Sequence, residues 1–464
     1  MKVKRKLKSN MVVKYKKLPK EVDSLSDMLS KGIFYGRFRI NSFGFDKGSV
    51  GKSHYTVGVG GSLIYKSAKF KGVSFTGGLY TSQNPIHMDS DMEPFYRSGK
   101  DTFSRYKVET EGDYSLNAIP QLYLEYKKNR DHIKVGRFLV ETFLLKSHDT
   151  KMIPNAFEGV YGEMRSIPKT KLQVAYITKQ KLRNHEHFHH PFAYGDDKDD
   201  PFSKWTENDD GGMHRGLTVS RLKEKGIDDR LIVFEARNRS IKNLTLRTGY
   251  TAVPDLLSSL MVEGAYRIKF YGFQIKPSLR YMRQFDNGAG AIGGANLRTD
   301  TVGYSDPDSL DSSMIAARID LLKDATSIRI GYSKIEDKGD LVTPWDAQPT
   351  AGYSRAMSRR NWYANTETFL IRADYDFSKK GLVDGLRGVM RYAIQDFDDG
   401  KSGVPADLNV LTIDLIKKYK SMPNLYTKLR TAFVSGEQNI ENADGSFKTD
   451  PSYNSIRLEL NYLF

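Results

Sequence analysis

Three short runs in this 464-residue chain hold residue types that could do chemistry. Ser147-His148-Asp149 contains the members of a nucleophilic triad. They are contiguous, whereas a triad needs side chains converging from separate places, and no nucleophile here has an evident activating base. Gly288-Ala289-Gly290-Ala291-Ile292-Gly293 matches G-x-G-x-x-G, a pattern that binds dinucleotides when a helix opens at the third glycine. The residues from Gly294 to Asp300 have no helical apolar spacing, which argues against nucleotide. His185, His187, His189 and His190 are close enough to hold Zn or Cu, and a polar surface tract is the preferred alternative. Asp196-Asp197-Lys198-Asp199-Asp200 could loosely bind a divalent cation. The chain has no Cys, which excludes disulfides, thiolate-bound metal and a thiol nucleophile. A fourth pattern is spread over the whole chain. Basic residues recur at alternate positions, as in Arg37 and Arg39 or Arg267 and Lys269, and their use depends on the elements that present them.

Those elements read as strands. In the segment 455–464, Ile456, Leu458, Leu460, Tyr462 and Phe464 alternate with Arg457, Glu459 and Asn461. A period of two with one fully apolar face marks a strand between an apolar phase and water. Phe369, Ile371, Ala373, Tyr375 and Phe377 repeat it against Arg372, Asp374 and Asp376. No stretch reaches the roughly 18 apolar residues of a membrane helix. Mean hydropathy is −0.54, as expected of a closed barrel, whose alternating strands average out as hydrophilic.

Eighteen such segments are expected, at 33–43, 55–66, 70–80, 118–128, 131–138, 158–166, 171–183, 229–238, 243–252, 259–270, 273–285, 313–323, 325–335, 361–378, 386–397, 407–419, 424–436 and 453–464. A nineteenth, 216–223, is rejected because it would put the long segments 286–312 and 336–360 on the short-turn side. Without it, short turns gather on one side and long loops at 81–117, 184–228, 286–312 and 336–360 on the other. The expectation is an all-β chain: an 18-stranded antiparallel transmembrane barrel over 33–464, in the outer membrane of a Gram-negative bacterium. Val22, Leu25, Met28 and Leu29 at helical spacing, followed by Gly32, predict a short periplasmic helix over 21–32. Of the net charge of +16, nine charges lie in residues 1–20, which read as a basic, disordered tail. That tail has no apolar core or A-x-A site, so the export signal expected of a barrel is either removed or encoded upstream.

With the apolar face toward lipid, parity assigns fifteen basic residues to the lumen: Arg37, Arg39, Arg247, Arg267, Lys269, Lys276, Arg280, Arg318, Arg329, Arg372, Arg387, Arg391, Lys428, Arg430 and Arg457. The acids on that face are six: Glu263, Asp320, Asp374, Asp376, Asp414 and Glu459. Arg offers a permanently charged fork that matches a carboxylate, and a row of them eases an anion along without one deep trap. Solvation of a wet lumen and mutual pairing is the competing reading of each single Arg.

The run 147–159, Ser-His-Asp-Thr-Lys-Met-Ile-Pro-Asn-Ala-Phe-Glu-Gly, resembles the third-loop signature of the OprD-type outer-membrane porins. The segments 177–183, 244–250 and 381–392 also resemble that family, and the likeness extends over about 21–464. The resemblance implies an 18-stranded monomeric barrel, a third loop folded inward, and an arginine ladder guiding carboxylate-bearing solutes. It makes Ser147, His148, Asp149, Thr150, Lys151 and Asn155 candidates for a pore constriction, with Pro154 and Gly159 shaping the loop; loop-internal hydrogen bonding is the alternative for the polar ones. No cofactor is implied. The expected partners are outer-membrane lipid and lipopolysaccharide, small solutes, and the barrel-assembly machinery through the strand ending at Phe464, with no nucleic acid. A barrel hydrolase acting on lipid or peptide, and a surface adhesin or receptor using loops 81–117 and 184–228, are the alternatives. About 30 residues before the first strand are too few for a plug domain.

Overall fold

The computed structural model describes residues 5–48, 51–95, 102–196, 212–357, 360–442 and 445–464. Its eighteen long strands close into one antiparallel barrel. They are β1 Ile33–Asp46, β2 His54–Lys66, β3 Val73–His87, β4 Leu116–Lys128, β5 Asp131–Phe138 and β6 Ala156–Met164. β7 is Thr170–Lys181, β8 Leu231–Asn238, β9 Leu244–Val253, β10 Leu257–Tyr266, β11 Phe273–Asp286 and β12 Ser312–Lys323. β13 is Thr326–Ile335, β14 Glu367–Asp376, β15 Leu386–Asp396, β16 Leu408–Lys418, β17 Leu425–Gly436 and β18 Tyr453–Leu463. β18 pairs with β1, with Leu463 opposite Arg37, so no edge is left open.

The burial pattern is that of an inside-out protein. Phe38, Leu79, Leu124, Val135, Leu279 and Ile330 are exposed, whereas Arg37, Arg39, Asp414, Glu459 and Asn461 are buried. Apolar side chains point outward to lipid and charged ones inward, which places this chain in an outer membrane. Tyr126, Tyr250, Tyr266, Tyr281, Tyr392 and Tyr462 add aromatic side chains to that outer face.

Several bounds differ from expectation. The expected strand 361–378 shrinks to β14 because Trp362, Tyr363 and Ala364 are buried in loop packing instead. The segment 259–270 breaks at Arg267, leaving Ile268–Phe270 as a separate short strand. The rejected strand 216–223 contains a helix, Val219–Glu224, whose Arg221 N–H is accepted by the Thr218 hydroxyl at 3.4 Å. The periplasmic helix is shorter than 21–32, spanning Leu25–Ser30 behind the Ser24 cap, because Glu21 and Val22 pair with Lys69 and Phe70.

The largest correction concerns the tail. Residues 5–15, expected to be disordered, form a hairpin in which Arg5–Leu7 pairs with Val13–Tyr15. The reason is legible afterwards: Leu7, Val13 and Tyr15 alternate with Lys6 and Lys14, giving the hairpin an apolar face to bury. Lys2 and Lys4 lie outside the described residues.

Candidate functional site: the lumen of the barrel

Seventeen connections join the strands, and the third on the long-loop side, L3 (139–155), turns into the barrel. Two guanidiniums from β1 hold it. Asp149 is fully buried between Arg37 and Arg39, with Arg39 Nη1 3.1 Å from its Oδ1 and Arg37 Nη2 on the same oxygen. Arg39 also donates to the Asp149 carbonyl at 2.7 Å, Asn41 donates to the Lys151 carbonyl at 3.0 Å, and Arg457 on β18 donates to the Thr150 carbonyl. Ser147 donates its hydroxyl to the Val140 carbonyl at 2.9 Å, and Asn155 donates its amide to the Lys146 carbonyl at 2.9 Å. The Lys151 ammonium sits 4.7 Å from the Phe43 ring centre. Of the six constriction candidates, Ser147, Asp149, Lys151 and Asn155 are therefore buried within L3's anchoring, while His148 and Thr150 stay half-buried.

Register assembles the basic residues. Lys276, Asp320, Arg329, Arg372 and Arg391 lie directly opposite one another on successive strands from β11 to β15. They are not a bare row of cations. Asp320 lies 2.6 Å from Arg329 Nε and 3.4 Å from Arg318 Nε. Asp374 takes Arg372 at 2.6 Å and also Arg387. Asp414 takes Arg430 at 2.5 Å and Arg391 at 3.0 Å. Glu459 takes Arg457 at 2.7 Å and Lys428 at 3.4 Å. With Asp149, these five carboxylates of the described residues each bridge two cations, so every such unit keeps one positive charge in excess. Arg247 and Arg280 are instead matched one to one, by Glu235 at 2.7 Å and Glu263 at 2.5 Å. Arg267 and Lys269 sit exposed beyond the end of β10, at the short-turn rim.

Sequence parity missed part of the lining. Glu235, and Lys66 paired with Glu125 at 2.8 Å, also belong to it. Register shifts in the β2–β3 and β6–β7 pairs put an extra residue into β3 and into β7, so Asn84 faces in but Ile86 turns out, Ile177 and Gln180 are both buried, and counting by twos fails there.

A second loop, L7 (336–366), also enters the barrel, where sequence reading gave only a long external loop. Arg280 donates to the carbonyls of Pro349 at 2.6 Å and Ala351 at 3.0 Å, and Arg318 donates to that of Gly352 at 2.6 Å. The Tyr353 hydroxyl donates to Glu263 at 3.2 Å. L7 meets L3 through Lys146 N–H on the Trp345 carbonyl, 3.1 Å. It meets L6 (287–311) through Asp340, whose carboxylate accepts from Tyr304 Oη at 2.7 Å and from the N–H groups of Leu297 and Ala364 at 2.9 and 2.8 Å. Burial pushes Asp340 up to about 6 despite these donors. The largest apolar cluster thus unites loop residues such as Phe143, Phe192, Leu297, Trp345 and Trp362 with the inner wall.

Solved structures share this architecture. The Pseudomonas aeruginosa outer membrane protein OpdK, solved with vanillate, superposes at a TM-score of 0.70 with 14% identity, covering 94% of this chain and 99% of that one. This chain has the OprD-type porin fold. OccK2 (OpdF) of the same species, in complex with glucuronate, gives 0.68 at 12% identity over 94% and 99%. OccAB3 of Acinetobacter baumannii gives 0.69 at 16% over 93% and 99%. No family model and no curated protein sequence matches the chain.

Within the OprD-type fold the other candidate motifs find structural uses. Asp286 accepts from the N–H of Gly288 and Gly290 at 2.8 and 3.1 Å, so a carboxylate occupies the amides a phosphate would need. His185 and His189 are buried, 4.7 Å apart by ring centres, while His187 is exposed and His190 bonds Asp229 at 3.0 Å. The four imidazoles do not converge, and among the described residues no group of three His, Asp or Glu could hold a metal ion. Burial pushes His189 down to about 4. Burial also opposes ionisation of Asp229, but His190 and the N–H groups of Phe192 and Ala193 hold it below its ordinary value. The acidic tract 197–200 lies outside the described residues. Ser147, His148 and Asp149 diverge, with Ser147 on Val140 and Asp149 on the two arginines.

Proposed function

We propose that this chain is a passive outer-membrane channel for small water-soluble solutes, selective for carboxylate-bearing or other anionic ones. The observation that carries the reading is the set of carboxylates each shared between two cations. The units on Asp320, Asp374 and Asp414 leave partly exposed guanidiniums, fixed in place by their shared acids. A fixed, half-compensated cation attracts an anion but does not hold it as a bare arginine cluster would, which suits passage over capture. Two proteins of the same fold, solved with vanillate and with glucuronate, carry carboxylate ligands, which supports the same solute class here.

The partners of such a channel are outer-membrane lipid and lipopolysaccharide around the apolar face. Assembly machinery would engage the strand ending at Phe464, whose backbone exchanges hydrogen bonds with Gly36 at 3.1 and 3.2 Å.

Single-channel recording in planar bilayers under a salt gradient tests the reading. Discrete ohmic steps with an anion-preferring reversal potential are expected, and cation preference overturns the selectivity. Replacing Arg372, Arg391 and Arg430 together by Gln should move the reversal potential toward cations, because Asp374 and Asp414 lose their principal counter-charges. A folded barrel that never conducts but hydrolyses lipid or peptide would make it an enzyme. Surface binding lost on shortening the external loops would make it an adhesin.

A further inference from the structure

The hairpin of residues 5–15 lies inside the lumen. Arg37, whose side chain is completely buried, donates to the Met11 carbonyl at 2.7 Å. Asn10 at the hairpin tip donates to Glu141 of L3 at 2.6 Å, and the same Glu141 oxygen accepts the Ser147 N–H at 3.0 Å. Leu7, Val13 and Tyr15 pack with Tyr35, Ile64, Tyr80 and Met152 of the inner wall and L3. The Tyr15 and Tyr35 rings lie 5.5 Å apart. The hairpin thus runs from the short-turn opening up to L3, beside the strand that anchors that loop.

Its other face is different. Lys6 and Lys14 are cross-strand partners and both are exposed, while their neighbours Leu7 and Val13 turn to the wall. Like charges directly opposite each other destabilise a strand pair, and a hairpin of two three-residue strands has little stability of its own. A sequence that keeps two ammoniums there, on a docked hairpin, presents them to the water of the pore.

We propose that the hairpin is a pore element. It narrows the short-turn half of the channel and adds Lys6 and Lys14 as an anion-attracting pair on the wall near β2 and β3, away from the bridged arginines of β12 to β17. This rests on the channel reading above. It assigns to the chain's own N-terminal segment a role in both conductance and charge selectivity.

Two variants of the full chain, recorded in planar bilayers under a KCl gradient, test it. Lys6→Gln with Lys14→Gln should shift the reversal potential toward cations at nearly unchanged conductance. Removing residues 5–15 should raise unitary conductance by roughly twofold, as expected when two strands leave a pore, and shift selectivity the same way. Unaltered conductance and selectivity in the deletion overturn the proposal while leaving the channel reading intact. If parent and deletion are both folded, as judged by heat-modifiable migration, yet neither conducts, the channel reading fails and takes the proposal with it.

Discussion

Asp149 carries two arginines at once, and removing its carboxylate would leave Arg37 and Arg39 buried with only carbonyl and amide partners. An uncompensated buried charge is costly, so Asp149→Ala should destabilise the barrel by about 3–5 kcal/mol, read as a lower urea midpoint in heat-modifiability gels. Asp149→Asn should cost less, since its oxygen still accepts from one guanidinium. The sequence singled out Asp149 as a constriction candidate, with hydrogen bonding inside the loop as the alternative; its arginine partners lie 110 and 112 positions away, beyond what local spacing can read. Gly331 is a second such residue. A Cβ there would lie 2.2 Å from the Tyr353 carbonyl oxygen of L7, a backbone atom that cannot swing aside. Gly331→Ala should therefore push L7 off the wall at a cost of about 1–3 kcal/mol and alter unitary conductance, whereas a wall glycine facing open space would tolerate the change. Nothing in the strand pattern around Gly331 announces that contact.

At the scale of elements, strands were far more legible than loops. The bounds of β5 match the expected 131–138, and most others agree within a few residues, because lipid on one face and water on the other enforce strict alternation. L3 was expected to turn inward through resemblance, and L7 was not expected to, since inward folding depends on long-range partners such as Arg280 and Arg318. The contact of L6 with L7 gives a pH dependence. Asp340, held up to about 6 against an ordinary 3.8, favours its protonated form in the folded loops. That contribution is complete below pH 3.8 and is lost as pH rises through 6. Limited proteolysis within L6 and L7 should be slower at pH 4.5 than at pH 7.5, and Asp340→Asn should flatten the difference. Equal rates at both pH values in the parent would show that burial does not govern this carboxyl.

The whole molecule is a charge-lined tube with its apolar core built from loops. Net charge was a poor guide to it, because nine of the sixteen excess charges sit in residues 1–20. What counts is the local stoichiometry of acids and bases, and it yields a prediction opposite in sign to the arginine replacements. Asp374→Asn with Asp414→Asn should strengthen anion preference, because Arg372, Arg387, Arg391 and Arg430 lose their shared counter-charges. A reversal potential unchanged by this pair would mean that solute passes elsewhere in the lumen. The sequence by itself determined that the chain crosses a membrane with eighteen strands and that arginines face inward, since a period of two is a local property. Only the tertiary structure decided which acid sits between which arginines, that L7 and the N-terminal hairpin occupy the lumen, and where register shifts reverse the parity. Those outcomes depend on contacts between residues tens to hundreds of positions apart, brought together by closure of β18 on β1.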